Sequence, residues 1–152
     1  MNSGPPGHRR GPSPAQARTK SRRAALQALY QWQVGKQSIV EIEAWFLAEQ
    51  DLRGADLSYF RELLYRIPAC VGELDGAILP LAERVLNDID TVELTALRIG
   101  VYELSYRRDI PYRVVIDESI ELIKRFGAEE GYRFVNGIID RLARQLRSAE
   151  IE

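Results

Sequence analysis

Residues 91–127 read TVELTALRIGVYELSYRRDIPYRVVIDESIELIKRFG, and the apolar spacing in this stretch decides the fold. Leu94, Leu97, Val101 and Leu104 recur at intervals of three and four, the period of an amphipathic helix; a strand would alternate at two. Asp90, with Glu93 three residues on, supplies a capping pair at the start, and Asp109–Ile110–Pro111 supplies the stop. A following helix places Ile116, Ile120 and Ile123 inward and finishes at Gly127. On this periodicity Glu93 and Arg98 fall outside the apolar stripe. They read as surface charges, or as rim contacts for a protein partner.

The same period continues outward in both directions. Toward the C-terminus, Val135, Ile138, Ile139, Leu142 and Leu146 form the inward face of a last helix, and Glu129 and Glu130 suit its positive start. Toward the N-terminus, a first helix is expected from near Arg18 to about Val34, with Leu26, Leu29 and Tyr30 on one face and Gly35 as its stop. Ser38 with Glu41 is a capping box for a second helix, which turns Ile39, Ile42, Trp45 and Phe46 inward. Gly54 and Asp56 precede a third, carrying Leu57, Phe60, Leu64 and Ile67, with Pro68 and Gly72 near its end. A fourth is expected from about Glu73 to Leu86, bent at Pro80. The short connections predict an all-α fold, a compact bundle of about seven helices. Residues 1–16, MNSGPPGHRRGPSPAQ, read as a disordered Gly/Pro/Ser-rich leader, 17–148 as the helical domain and 149–152 as a short tail.

Charge is unevenly distributed along the 152 residues. Seven basic side chains and no acidic one precede Glu41, whereas the remainder holds 14 basic and 22 acidic ones. A net charge of −1 therefore conceals a basic arm on an acidic body, an electrostatic footprint for a polyanion. Catalytic classes fit poorly. His8 is the one histidine and lies in the leader, which argues against His-based metal sites and against Ser/His or Cys/His nucleophile pairs. Neither common Gly-rich phosphate loop occurs. Cys70 is alone among apolar neighbours and reads as a small buried hydrophobe, without a disulfide partner. No run of about 18 apolar residues spans a membrane and no signal peptide opens the chain. The expectation is a cytoplasmic protein that is not an enzyme, with no catalytic residues, metal or cofactor.

Two segments carry the binding chemistry. Residues 17–32, ARTKSRRAALQALYQW, place Arg18, Lys20, Arg22 and Arg23 at the start of an amphipathic helix. Like charges four apart repel, and cations oppose the positive helix N-terminus, so the cluster costs local stability that an anionic ligand would offset. Residues 126–141, FGAEEGYRFVNGIIDR, set Arg133 between Tyr132 and Phe134. Rings stack on unpaired bases and an arginine holds phosphate or a base edge. Phe134 falls at the margin of the apolar face, and Lys124 and Arg125 add charge just before the break.

Three blocks, ALQALYQWQ (25–33), LRIGVYEL (97–104) and IPYRVVIDESIELIKRFGAEEGYRFVNGIIDRL (110–142), closely resemble the NusB family of bacterial transcription antitermination factors. FLAEQD (46–51) and YFRELL (59–64) extend the likeness to about residues 17–147. The resemblance implies two packed helical subdomains and binding to boxA RNA of ribosomal RNA leader transcripts together with NusE, a small-subunit ribosomal protein. It also implies assembly with other Nus factors on RNA polymerase and suppression of premature termination. It maps an RNA-binding stretch onto Arg18, Lys20 and Arg22, an RNA-facing turn onto Glu130, Arg133 and Phe134, and a NusE-facing surface onto Tyr30 and Glu93. Thr19 stands where relatives commonly carry a cation, and Arg23 where an acid occurs. Arg23, Lys124 and Arg125 join the RNA set on charge, and Arg98 joins the partner set on position. Self-association into a homodimer that covers the RNA surface stays open. So do two other functions: an accessory domain of RNA modification, disfavoured because no cofactor-binding domain follows, and a helical adaptor that binds protein only.

Overall fold

The computed structural model describes residues 11–151, and the leader residues His8, Arg9 and Arg10 lie outside that range. Among the described residues eight α-helices follow one another: α1 Pro14–Val34, α2 Ile39–Glu49, α3 Leu57–Ala69, α4 Val71–Ala82, α5 Thr91–Tyr106, α6 Tyr112–Phe126, α7 Gly131–Leu146 and the short α8 Ser148–Ile151. A 3-10 turn at Leu86–Asp88 joins α4 to α5. The all-α expectation holds, and no strand occurs among the described residues.

Local chemistry sets the helix ends. Ser38 accepts from the Glu41 amide at 3.2 Å while the Glu41 carboxylate accepts from the Ser38 amide at 3.0 Å, the expected reciprocal box. α1 begins four residues before Arg18, because Ser13 and Gln16 form an equivalent box and Pro14 sits where a missing N–H costs nothing. Residues 13–16, read as leader, form the N-cap and first turn of α1. α4 starts at Val71 and ends at Ala82, short of the expected Leu86, where Glu83 turns into the left-handed region at φ 55°.

α5 is the axis of the fold. It packs against α1, α3, α4, α6 and α7, and every residue from Glu93 to Leu104 is buried. A helix covered on all sides buries its polar residues too, so Glu93 and Arg98 are internal and not surface charges, with 8% and 4% of their surface exposed. Gly100 allows the closest approach: a Cβ there would lie 2.6 Å from Ile139 Cδ1 and 2.8 Å from Ser119 Oγ. Around this axis α1, α2 and α3 form one helical group, and α4, α6 and α7 complete the other.

Two inward faces differ from the expected ones. α6 buries Val115, Ser119, Leu122 and Ile123, rotated from the Ile116–Ile120–Ile123 stripe, so Ile116 and Ile120 are half-buried. In α2 only Ile42 and Phe46 are fully buried, whereas Trp45 is 43% exposed. Cys70 is half-buried at the α3–α4 junction.

Candidate nucleic-acid interface

Helical phase divides the four cations of α1 between two environments. Arg18 and Arg22, four apart, face the α5–α6 side. Arg22 is 2% exposed, with Nε donating to Glu103 Oε2 at 2.7 Å and Nη1 to Glu118 Oε1 at 3.1 Å. The Tyr59 hydroxyl donates to the same Glu103 carboxylate, and Thr19 donates to Glu118 at 3.1 Å. Arg18 lies 3.5 Å from Asp109 and 5.5 Å from the centre of the Tyr59 ring. Burial pushes the Glu103 carboxyl above the usual range, and the Arg22 cation opposes that shift. The positive charge predicted to await an external anion on this side is thus met within the chain. Arg22 is a buried ion pair and not a free phosphate contact; removing either partner would strand a charge in the interior.

Lys20 and Arg23 face the other way. With Arg125 of α6 they line an open cleft of about 530 Å³ that also includes Gln27, Phe46 and Phe126. Lys20 Nζ donates to the Arg53 carbonyl, which tethers it beside the α2–α3 loop. Asp51, the acid in this cleft, is paired with Arg53 at 2.9 Å. The Arg53 hydrogen bonds hold the Asp51 carboxyl well below the usual range. Lys124 and Arg125 occupy the last turn of α6, where the helix dipole favours cations.

The α7 start builds a separate cationic recess. Arg133 is exposed, Phe134 is half-buried as its marginal position predicted, and the Arg84 guanidinium stacks 4.2 Å from the Phe134 ring centre. Gly137 and Arg141, one and two turns beyond Arg133, complete a recess of about 360 Å³. Arg141 was legible at this spacing on one face of α7. Arg84 was not, since it arrives from the α4–α5 connection. Lys124 and Glu130 are exposed but line neither recess.

The expected partner residues also separate. Tyr30 is 39% exposed on α1. Arg98 binds Asp75 in a two-pronged fork, with both N–O distances 2.8 Å, and donates to Gln33 at 2.7 Å. It braces α1, α4 and α5 and has no role left at a rim. Asp90 caps α5 by accepting from the Glu93 amide at 3.1 Å. The Glu93 carboxylate instead lies against Gly131, where a Cβ would come 2.7 Å from Oε2. Burial, then the neighbouring Asp90, push the Glu93 carboxyl up, against the pull of Arg84. Arg147 was missed altogether: 2% exposed, it donates to the carbonyls of Glu103, Leu104, Arg107 and Ile110, closing the C-terminal end of α5. Nothing in the periodicity marks an arginine just after a helix as internal.

Among the described residues no cluster of three or more metal-binding side chains occurs, and no helix is long and apolar enough to cross a membrane. The model of the NusB family matches residues 19–144. The transcription antitermination protein NusB of Nitrosococcus oceani is 52% identical over 133 residues, covering 88% of this chain and 89% of that one. The protein of the same name from Alcanivorax borkumensis is 50% identical over 139 residues, covering 91% and 93%. A solved structure of T. maritima NusB is similar with a TM-score of 0.56 at 33% identity, over 84% of this chain and 91% of that one.

Proposed function

Because the chain belongs to the NusB family, we propose that it acts as a non-catalytic transcription antitermination factor that binds boxA RNA of ribosomal RNA leader transcripts together with NusE. The observation that supports this most is the convergence of Lys20, Arg23 and Arg125 from two helices on one open cleft. The chain carries a net negative charge, so this concentration of cations is local. Phosphate contacts of this kind give affinity without sequence preference. Base selection falls to Arg133 and Phe134 at the second recess, and to NusE. Tyr30 is the exposed position assigned to NusE. Glu93 is buried against Gly131, and Arg98 and Arg22 act as internal braces. Assembly with other Nus factors on RNA polymerase would follow from this pairing.

The test is to titrate boxA RNA with the chain, with NusE, and with both, at several salt concentrations. A ternary complex tighter than either pair is expected. If Lys20, Arg23, Lys124 and Arg125 each neutralise one phosphate, log affinity falls against log salt with a slope of about −3. A salt-independent affinity, or no complex at low ionic strength, overturns the reading.

A further inference from the structure

The cationic cleft does not end at its charges. It shares Gln27, Phe46, Gln50 and Phe126 with an adjoining groove of about 580 Å³, and no residue lining that groove is charged. Three amides, Gln27, Gln31 and Gln50, line it together with Trp45. The apolar pattern of α2 predicts an inward Trp45, yet the side chain is 43% exposed. Its ring is held nonetheless: it meets the buried Phe46 edge to face, centroids 5.1 Å apart and planes at 74°, and Phe46 rests on Phe60 at 6.1 Å.

A track of cations leading into an uncharged groove with a fixed ring and several amides matches one ligand chemistry best. A single-stranded polynucleotide sets phosphates on cations, bases on ring faces, and base edges against groups that both donate and accept. An apolar protein segment would use the groove but leave the adjoining cations without a counterpart. We propose that bound RNA runs from the Lys20–Arg23–Arg125 cleft into this groove and stacks a base on Trp45. The inference rests on the reading of the chain as an RNA-binding factor. Tyr30 lines the same groove, so RNA and NusE would meet there.

The experiment measures affinity for a short single-stranded boxA RNA by anisotropy, with and without NusE, for the native chain, Trp45→Ala and Trp45→Phe, across a salt series. Loss of the ring should weaken binding by about tenfold, and Phe should retain most of the affinity because it keeps a stacking face. The salt slope should be the same for all three, since no phosphate contact is removed. RNA should also quench Trp45 emission in a Trp32→Phe background. If the native chain binds RNA and Trp45→Ala binds equally well, the stacking inference is overturned while the RNA-binding reading stands. If Trp45→Ala keeps RNA affinity but loses NusE, the groove is a protein dock and the inference is likewise overturned. If the native chain ignores the RNA even with NusE, the underlying reading goes first.

Discussion

Arg22 and Arg23 are chain neighbours with the same side chain, and the fold places them in opposite environments. Arg22 is enclosed by Glu103, Glu118 and Tyr59. Arg23 opens onto the cleft with Lys20 and Arg125. One hundred degrees of helical rotation separates a structural brace from a binding group. The difference teaches that a local tally of charge locates a basic helix but not the face that remains available, because the acids answering it lie 81 and 96 residues away in sequence.

The strongest way to break this comparison is to remove the inner member. Arg22→Ala leaves the buried Glu103 carboxylate without its cation and should cost about 3–5 kcal/mol in urea denaturation. A loss below about 1 kcal/mol would show that Arg22 is solvated and no different from Arg23. Arg98→Ala belongs to the same class. It breaks the fork to Asp75 and the bond to Gln33, and a cost of about 2–4 kcal/mol is expected in the same measurement.

The outer members should behave oppositely. A Lys20→Ala/Arg23→Ala/Arg125→Ala variant should fold with stability within about 1 kcal/mol of native, since Lys20 and Arg23 are only half-buried, Arg125 is exposed, and side chains so placed contribute little. Its affinity for boxA RNA should drop sharply, and the log–log salt slope should become shallower by about 2, corresponding to three phosphate contacts on a single strand. Full RNA affinity in this variant would move the phosphate track elsewhere, with Arg84, Arg133 and Arg141 as the next surface to neutralise.

The helices and their caps were legible beforehand; the contrast between Arg22 and Arg23 was not, and that has a physical cause. The three-four periodicity and the capping residues Ser38 and Asp90 report on local structure, and each cap forms. Burial of a whole helix is not local. The stripe on α5 identified one covered face, but Gln33 of α1 and Asp75 of α4 meet Arg98 and the start of α7 lies against Glu93, so both became internal. Trp45 shows the reverse case, where an apolar residue at the right spacing finds no helix above it. The grouping of Lys20 and Arg23 with Arg125 depends on α1 and α6 meeting in space. Charge alone put Arg23 and Arg125 in one set in advance, and nothing local placed them on one cleft.

The smallest predicted effect concerns Glu93, the one expected contact group that the fold covers without offering it a partner. Among the described residues no hydrogen bond reaches its carboxylate, and burial together with Asp90 raises its pKa in the folded state. An unfolded glutamate ionises near pH 4.3. Between that value and the raised folded value the native state holds more proton than the unfolded one, so stability from this group falls as pH rises through the window. Glu93→Gln keeps the shape and removes the charge. It should stabilise the chain by less than about 1 kcal/mol at neutral pH. The gain should vanish at pH values below the unfolded pKa, where native Glu93 is protonated in both states. If Glu93→Gln destabilises the chain at neutral pH, the carboxylate is bonded after all, and Glu93 joins Arg22 and Arg98 among the braces. If instead stability rises while NusE affinity falls, the buried charge is held for a partner. Glu93 would then stand between the two populations of side chains that Arg22 and Arg23 represent.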